Sequence, residues 1–278
     1  MDKKENSLVD MHLHTNASDG TWTIKELIAE VIDKKIDFFS ITDHDTFENS
    51  MKALEMVPKN KAFVIGTEIS STYKTTEYHI LAYDFNPKDA DLLDLLSRNK
   101  KIRNEHNEDI IEYVKEYELI NNVKDYDEYE ADLKRGGWKS LNYLLDKGIV
   151  QDLKGYFNLM SISDLKLTFS DPKLVIDTIH KAGGYAILAH PSAYDQDIFD
   201  KEFLRTWLSF GIDGIECYSP YLANFEEAKG YVEFCKENNL MISGGSDCHG
   251  AFNKRTVGVP KVMWKNTDLN LLFNSKKY

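Results

Sequence analysis

The sequence predicts an α/β barrel of about seven βα units, interrupted once by a mainly helical insertion. Three observations predict it. Short apolar runs alternate with helical patterns through residue 86, and the same rhythm resumes at residue 171. The stretch between, 87–170, is charged and helical in its spacing. The expected organisation is a barrel domain over 1–86 and 171–278, with 87–170 as a helical insertion over the active site.

Taken in order, Ser7 to His12 reads as a strand. Ile24, Leu27, Ile28, Val31 and Ile32 fall at helical spacing and form one apolar stripe. Ile36 to Thr42 is a second strand, followed by a helical stretch from Thr46 to Met56. Ala62 to Ser70 and Tyr78 to Phe85 are two more strands. In the insertion, Leu92, Leu95 and Leu96, then Ile110, Ile111 and Val114, mark helix. The acidic, tyrosine-bearing segment Asn121 to Arg135 reads as a solvated face, and Leu141 to Leu145 follows Gly136-Gly137 as another helix. Asp171-Pro172 is a cap followed by proline at the first helical position. That helix carries Leu174, Val175, Ile176 and Ile179 and stops at Gly183-Gly184. Strands at Tyr185 to Ala189, Gly214 to Glu216 and Met241 to Ser243 complete the series.

The formal charge of −12, from 34 basic and 46 acidic residues in 278, argues against a long duplex nucleic acid as partner. A small phosphorylated substrate is compatible with it, because bound cations reverse the field locally. Cys217, Cys235 and Cys248 form no CxxC pair, so reduced thiols in a reducing compartment are expected. The start, Met1 to Asn6, carries no apolar leader, and no run reaches the roughly 20 apolar residues of a membrane helix. The expectation is a soluble cytoplasmic protein with no membrane partner.

Chemistry concentrates at the strand ends. His12 and His14 close the first strand two residues apart, so both rings point to one side. Neutral imidazole suits zinc, manganese or iron. A lone His-x-His pair is a weak signal, but its company is not. The second strand delivers Thr42-Asp43-His44-Asp45, and the third Gly66-Thr67-Glu68. The fourth opens with His79, and the fifth ends in Ala189-His190-Pro191. The seventh leads into Gly245-Ser246-Asp247-Cys248-His249, where Asp247 and His249 repeat the two-apart spacing. Six of the eight histidines belong to this set. In βα barrels the active site is built at the carboxyl ends of the strands.

At this point the residues resemble a known family. His12 to Gly20 and Ile41-Thr42-Asp43-His44-Asp45 closely resemble the start of the polymerase and histidinol phosphatase (PHP) family. Gly66 to Ser70, His79 to Tyr83, Ala189-His190-Pro191 and Gly244 to His249 resemble its later motifs in the right order. The resemblance implies a distorted TIM-like (βα)7 barrel and about three divalent ions per chain, as Mn, Zn or Fe. It also implies that His12, His14, Glu68 and Asp247 hold one metal, with Glu68 bridging to a second held by His79 and His190. Asp19, His44 and His249 would hold the third. Where the family usually has an aromatic residue between the last Asp and His, this chain has Cys248, expected to face away from the metals.

The reaction so implied is hydrolysis of a phosphate monoester of a small metabolite, by in-line attack of a metal-bound hydroxide. A nucleotide or nucleoside 3',5'-bisphosphate is the leading substrate. Asp43 is a candidate for orienting a ligand, and equally for a turn residue. For substrate binding, Arg135 and Lys139 flank a helix start suited to phosphate, with a simple cap and surface lysine as the bland alternative. Arg98 and Arg103 are weaker candidates of the same kind, and Glu216 is a further contact at a strand end. His106 and His180 are read as a surface histidine and a helix-end histidine. The rivals are a histidinol-phosphate phosphatase or short-RNA exonuclease on the same site, an amidohydrolase-type deaminase or amidase, and a non-catalytic metal-binding module.

Overall fold

The computed structural model describes residues 5–117, 125–194 and 199–274. Residues 1–4 of the start and 121–124 of the acidic segment lie outside the described residues. Strand β1 (Leu8–Asp10) pairs in parallel with β2 (Ile36–Phe39), and helix α1 (Ile24–Asp33) connects them. A reciprocal cap starts α1: the Thr23 amide donates to Glu26 Oε2 at 2.8 Å, and the Glu26 amide to Thr23 Oγ1 at 3.4 Å. Leu27, Ile28 and Val31 are buried, each contributing about 1.5–3 kcal/mol. Ile32, read as part of the same stripe, is 47% exposed, because it lies past the edge of the packed face.

Helix α2 (Glu48–Ala53) and the short strand β3 (Ala62–Phe63) follow. The run Ala62 to Ser70 is not one strand. It breaks at Val64-Ile65, so that β3 pairs with β2 while β4 (Gly66–Tyr73) joins a second sheet. β4 and β5 (Thr76–Tyr83) form an antiparallel hairpin, and the expected helix-linked parallel rhythm fails here. The turn is Lys74-Thr75, with Lys74 at a φ of 57°, and it lacks the Gly or Asn that announces such turns.

Residues 87–170 hold α3 (Ala90–Glu116), α4 (Lys139–Asp146) and α5 (Leu153–Ser163). α3 serves two cores. Leu92, Leu95 and Leu96 pack into the main core, whereas Ile110, Ile111 and Val114 join α4 and α5 in a separate apolar cluster. His106 is buried rather than a surface histidine, since it shares the inner side of α3 with Ile110. The series then continues through α6 (Pro172–Lys181), β6 (Tyr185–Leu188), α7 (Lys201–Phe210), β7 (Gly214–Tyr218), α8 (Lys229–Asn238) and β8 (Met241–Gly244). β9 (Val262–Met263), antiparallel to β1, and α9 (Asn270–Asn274) end the described chain.

This is a mixed α/β fold. Among the described residues the strands form two sheets, in the orders β3-β2-β1-β9 and β4-β5-β6-β7-β8. β6, β7 and β8 are mutually parallel, and β5 meets β6 antiparallel. The sheets meet along two seams. On one, the Met11 amide donates to the Gly244 carbonyl at 3.1 Å and Leu13 bridges Cys248; on the other, the Glu68 amide donates to the Thr42 carbonyl at 3.2 Å and His44 bridges Glu68. Both seams therefore bring sequence-distant ligand candidates side by side. No described helix is long and apolar enough to cross a membrane.

Candidate metal centre

His12 and His14 lie just past the end of β1, on a segment that keeps strand-like alternation. Leu13 enters the apolar cluster beneath α1, and both imidazoles take the other side. Gly245 permits the close approach of the β8 end, because a Cβ there would stand 2.5 Å from the Cβ of His12. The loop after His14 turns tightly at Gly20, where a Cβ would meet the Thr15 carbonyl oxygen at 2.9 Å. That turn carries Asp19 back toward His14. Asp43 braces the loop and does not hold His44: its carboxylate accepts from the Thr15 amide at 2.7 Å, Thr15 Oγ1 at 2.7 Å and Ser18 Oγ at 2.8 Å.

Glu68, fully buried on β4, is the hub. Its Oε2 lies 3.0 Å from His12 Nε2, 3.1 Å from His14 Nε2 and 3.3 Å from His44 Nδ1. Its Oε1 lies 3.0 Å from both His79 Nδ1 and His190 Nε2. Asp247 Oδ1 stands 3.4 Å from His12 Nε2, 3.3 Å from His14 Nε2 and 3.6 Å from His249 Nδ1. Asp19 reaches His249 Nε2 at 3.3 Å, His14 Nδ1 at 3.7 Å and His44 Nε2 at 3.8 Å. The nine ligand candidates thus converge. Within 4.8 Å, ligand atoms group as His12, His14, Glu68 and Asp247; as His14, Asp19, His44 and His249; and as His44, Glu68 and His79.

Two of these residues sit on unusual backbone: His190 has a φ of 26° and Asp247 of 48°. Such conformations cost about 1–3 kcal/mol each for non-glycine residues and persist only where the surroundings hold them. Glu216 is one of the holds. Its Oε2 accepts from the His190 amide at 2.8 Å, and its Oε1 lies 3.1 Å from His12 Nδ1.

The charges are as concentrated as the geometry. Burial opposes ionisation of Glu68 and Asp247, yet the surrounding imidazoles, His12 foremost, hold both carboxyls well below their usual range. Burial likewise opposes a charge on His14, but Asp247 and Glu68 raise it to about 9. The same contest, with Glu68 as the main carboxylate, raises His79 to about 10, while burial wins at His44 and lowers it to about 3. Protons on His14 and His79 offset carboxylate charge that a divalent cation would also offset.

The donor set fits such cations. His14 Nδ1 and Nε2, His44 Nδ1 and His79 Nδ1 are buried without a well-directed hydrogen-bond partner among the described residues. Buried ring nitrogens are normally paired, so a cluster of unpaired ones amid carboxylates is the chemistry of ligands aimed at a common ion. Residues 10–182 match the family model of the PHP domain, more than half of the chain. The chain belongs to the PHP family. A 5'-3' exoribonuclease of Haemophilus influenzae is 28% identical over 247 residues, spanning 86% of this chain and 89% of that one. A 3',5'-nucleoside bisphosphate phosphatase of Chromobacterium violaceum is 23% identical over 287 residues, spanning 95% and 98%. The solved structure of an amidohydrolase from Chromobacterium violaceum, with bound sulfate and no metal, has a TM-score of 0.75 at 21% identity, covering 89% of each chain. In this PHP protein the matched region ends before His190, Asp247 and His249, which β6 and β8 bring into the cluster.

Arg135 and Lys139, the substrate contacts named from sequence, lie elsewhere. Arg135 donates to Asp146 Oδ1 at 2.7 Å, and Lys139 donates to the Asp127 carbonyl at 3.2 Å while lying over the Tyr126 ring. No described contact joins either side chain to the cluster. Backbone from residues 87–170 does approach it: the Gly137 amide donates to the Asp19 carbonyl at 2.7 Å. Sequence reasoning missed Arg255, which ion-pairs with Asp247 and lies 4.4 Å over the Tyr221 ring. It also missed Tyr221, whose hydroxyl donates to Asp247 Oδ2 at 3.4 Å. Nothing in the spacing marked either one. Glu77, 3.0 Å from His79 Nε2, was within reach of the two-apart rule already applied to His12 and His14. Cys248 is buried in the apolar cluster with Leu13, as a side chain facing away from the ligands must be.

Proposed function

We propose that this chain is a metal-dependent phosphoesterase that hydrolyses a phosphate monoester of a small metabolite, with a nucleoside 3',5'-bisphosphate as leading substrate. The observation that carries the reading is Glu68, a buried carboxylate whose two oxygens stand between five imidazoles. His12, His14, Asp19, His44, Glu68, His79, His190, Asp247 and His249 would hold about three divalent ions, Mn, Zn or Fe. When bound, such ions lower the pKa of water and neutralise charge on phosphoryl oxygens. The chain's own residues supply the positioning. Glu216 fixes the ring of His12 and the backbone of His190, and Asp43 fixes the loop that bears Asp19. Arg255 and Tyr221, beside Asp247, are better placed than Arg135 and Lys139 to meet a substrate anion.

On the same reading, the two sheets are halves of one distorted (βα)7 barrel, and residues 87–170 are an insertion at its mouth. The two hydrogen-bonded seams support the first, and the Gly137–Asp19 contact supports the second. The name of the violaceum relative supports a bisphosphate substrate, and the net charge of −12 favours a small anion over a long duplex. The name of the Haemophilus relative supports a second reading, removal of nucleotides from short RNA.

A release panel with Mn or Zn separates these readings. Its substrates are a nucleoside 3',5'-bisphosphate, histidinol phosphate, a short 5'-phosphorylated RNA and an aminopurine. Phosphate from the bisphosphate is the expected result. Mononucleotides from RNA alone would favour the exonuclease, and ammonia without phosphate would move the chain to amidohydrolase chemistry.

A further inference from the structure

Arg103 was a candidate for phosphate binding, but its guanidinium is already engaged. Nη2 donates to Glu77 Oε1 at 2.6 Å and to Ser70 Oγ, and Nε donates to Asp45 Oδ2 at 3.3 Å. The group also lies 4.9 Å from the Phe169 ring centre. Both carboxylates it holds stand next to candidate ligands. Glu77 precedes His79 by two residues on β5 and lies 3.0 Å from its Nε2, which leaves His79 Nδ1 facing Glu68 at 3.0 Å. Asp45 follows His44 directly, with a φ of 51°.

Asn99, one helical turn before Arg103 on α3, reinforces the second hold. Its Nδ2 donates to Asp45 Oδ1 at 2.7 Å and to the Ser70 carbonyl at 2.9 Å. Asp45 also accepts from the Ser70 amide at 3.1 Å. The two histidines served in this way, His44 and His79, group with Glu68, and His44 groups also with His14, Asp19 and His249. His79, the histidine that Glu77 contacts, belongs to the group of His44, Glu68 and His79 and to neither of the others.

We propose that Arg103 is a positioning residue for one metal sub-site, that of His44, Glu68 and His79, and acts on it through Glu77. The carboxylate of Glu77 fixes the ring and tautomer of His79, and the planar guanidinium fork fixes Glu77. α3 thereby couples the insertion to that sub-site.

The inference rests on the metal-centre reading, and its test separates the two. Metal-free parent protein, Arg103→Met, Arg103→Lys, Glu77→Gln and the double variant Arg103→Met/Glu77→Gln are each titrated with Zn²⁺ or Mn²⁺ by calorimetry. Circular dichroism verifies that each is folded. In Arg103→Met and in Glu77→Gln, one class of sites should weaken by about 10–100-fold while the remaining stoichiometry stays at the parent's value. Arg103→Lys, which keeps the charge but loses the fork, should fall between parent and Arg103→Met, and it carries the test if Arg103→Met does not fold. The double variant should bind no more weakly than either single variant, because both remove one interaction. Parent-like affinity in Arg103→Met, or in Arg103→Lys if that variant carries the test, overturns the proposal, as do losses that add in the double variant. Absence of metal binding in the parent overturns the metal-centre reading and this inference together.

Discussion

Replacing Glu216 with glutamine changes one atom and separates positioning from chemistry. In the parent, Glu216 Oε1 stands 3.1 Å from His12 Nδ1 and Oε2 accepts from the His190 amide at 2.8 Å. With Glu216 as acceptor, a neutral His12 keeps its proton on Nδ1, which leaves the Nε2 lone pair free, on the side of Glu68 and Asp247. The glutamine oxygen can still serve the His190 amide. Its NH2 group, however, turns toward His12 Nδ1 and favours the opposite tautomer, with the proton on Nε2, which cannot ligate. The loss is one charge-assisted hydrogen bond, about 1.5–3 kcal/mol. Every 1.4 kcal/mol is tenfold, so metal affinity should fall by about 10–150-fold. Calorimetric titration of metal-free Glu216→Gln gives the affinity, and phosphate release at saturating metal gives kcat, which should recover to near the parent value. Unchanged metal affinity would refute the tautomer argument. Lost activity at full loading would show that Glu216 takes part in the reaction itself.

Three further outcomes are expected. Metal loading should release protons, because His14 and His79 are raised to about 9 and 10 and carry protons at neutral pH that a ligating nitrogen must give up. Apparent metal affinity should therefore rise with pH toward 9–10 and fall as pH drops, measured by titration in weakly buffered solution at several pH values. Arg135→Met and Lys139→Met should each change kcat/KM by less than about threefold, since exposed pairs contribute about 0–1 kcal/mol and neither side chain contacts the cluster. A tenfold loss would restore the substrate role suggested by their sequence position. Trp207→Ala, at a fully buried ring on α7, should destabilise the fold by about 3–5 kcal/mol in denaturant unfolding.

How much of this was legible in the sequence varied with the kind of signal. The ligand candidates were legible because strand ends and the two-apart spacing are local patterns, and because buried histidines have few other uses at such positions. The amphipathic helices at Leu27 and Val175 were legible for the same reason: each shows an apolar stripe, and the second also a capped start at Asp171-Pro172. The hairpin between Gly66 and Tyr83 was not, because its turn at Lys74 uses a positive φ without glycine. The substrate side was misleading in a physical way. Arg135 and Lys139 have the right chemistry at a helix start, but the Asp146 carboxylate engages the first, and the Asp127 carbonyl and the Tyr126 ring engage the second. Arg103 reaches Glu77 across 26 residues of sequence, and Arg255 folds back on Asp247 from an irregular loop, where no strand or helix spacing applies.

The central claim is that the nine converging side chains make a metal centre that hydrolyses phosphate esters. The most direct measurement adds metal stepwise to metal-stripped protein and follows bound ion and phosphate release on the same samples. The account predicts no release without metal, and activity that rises with loading and levels off near about three ions per chain. Full activity in the metal-free protein, or no release from any phosphate ester at full loading, would contradict it.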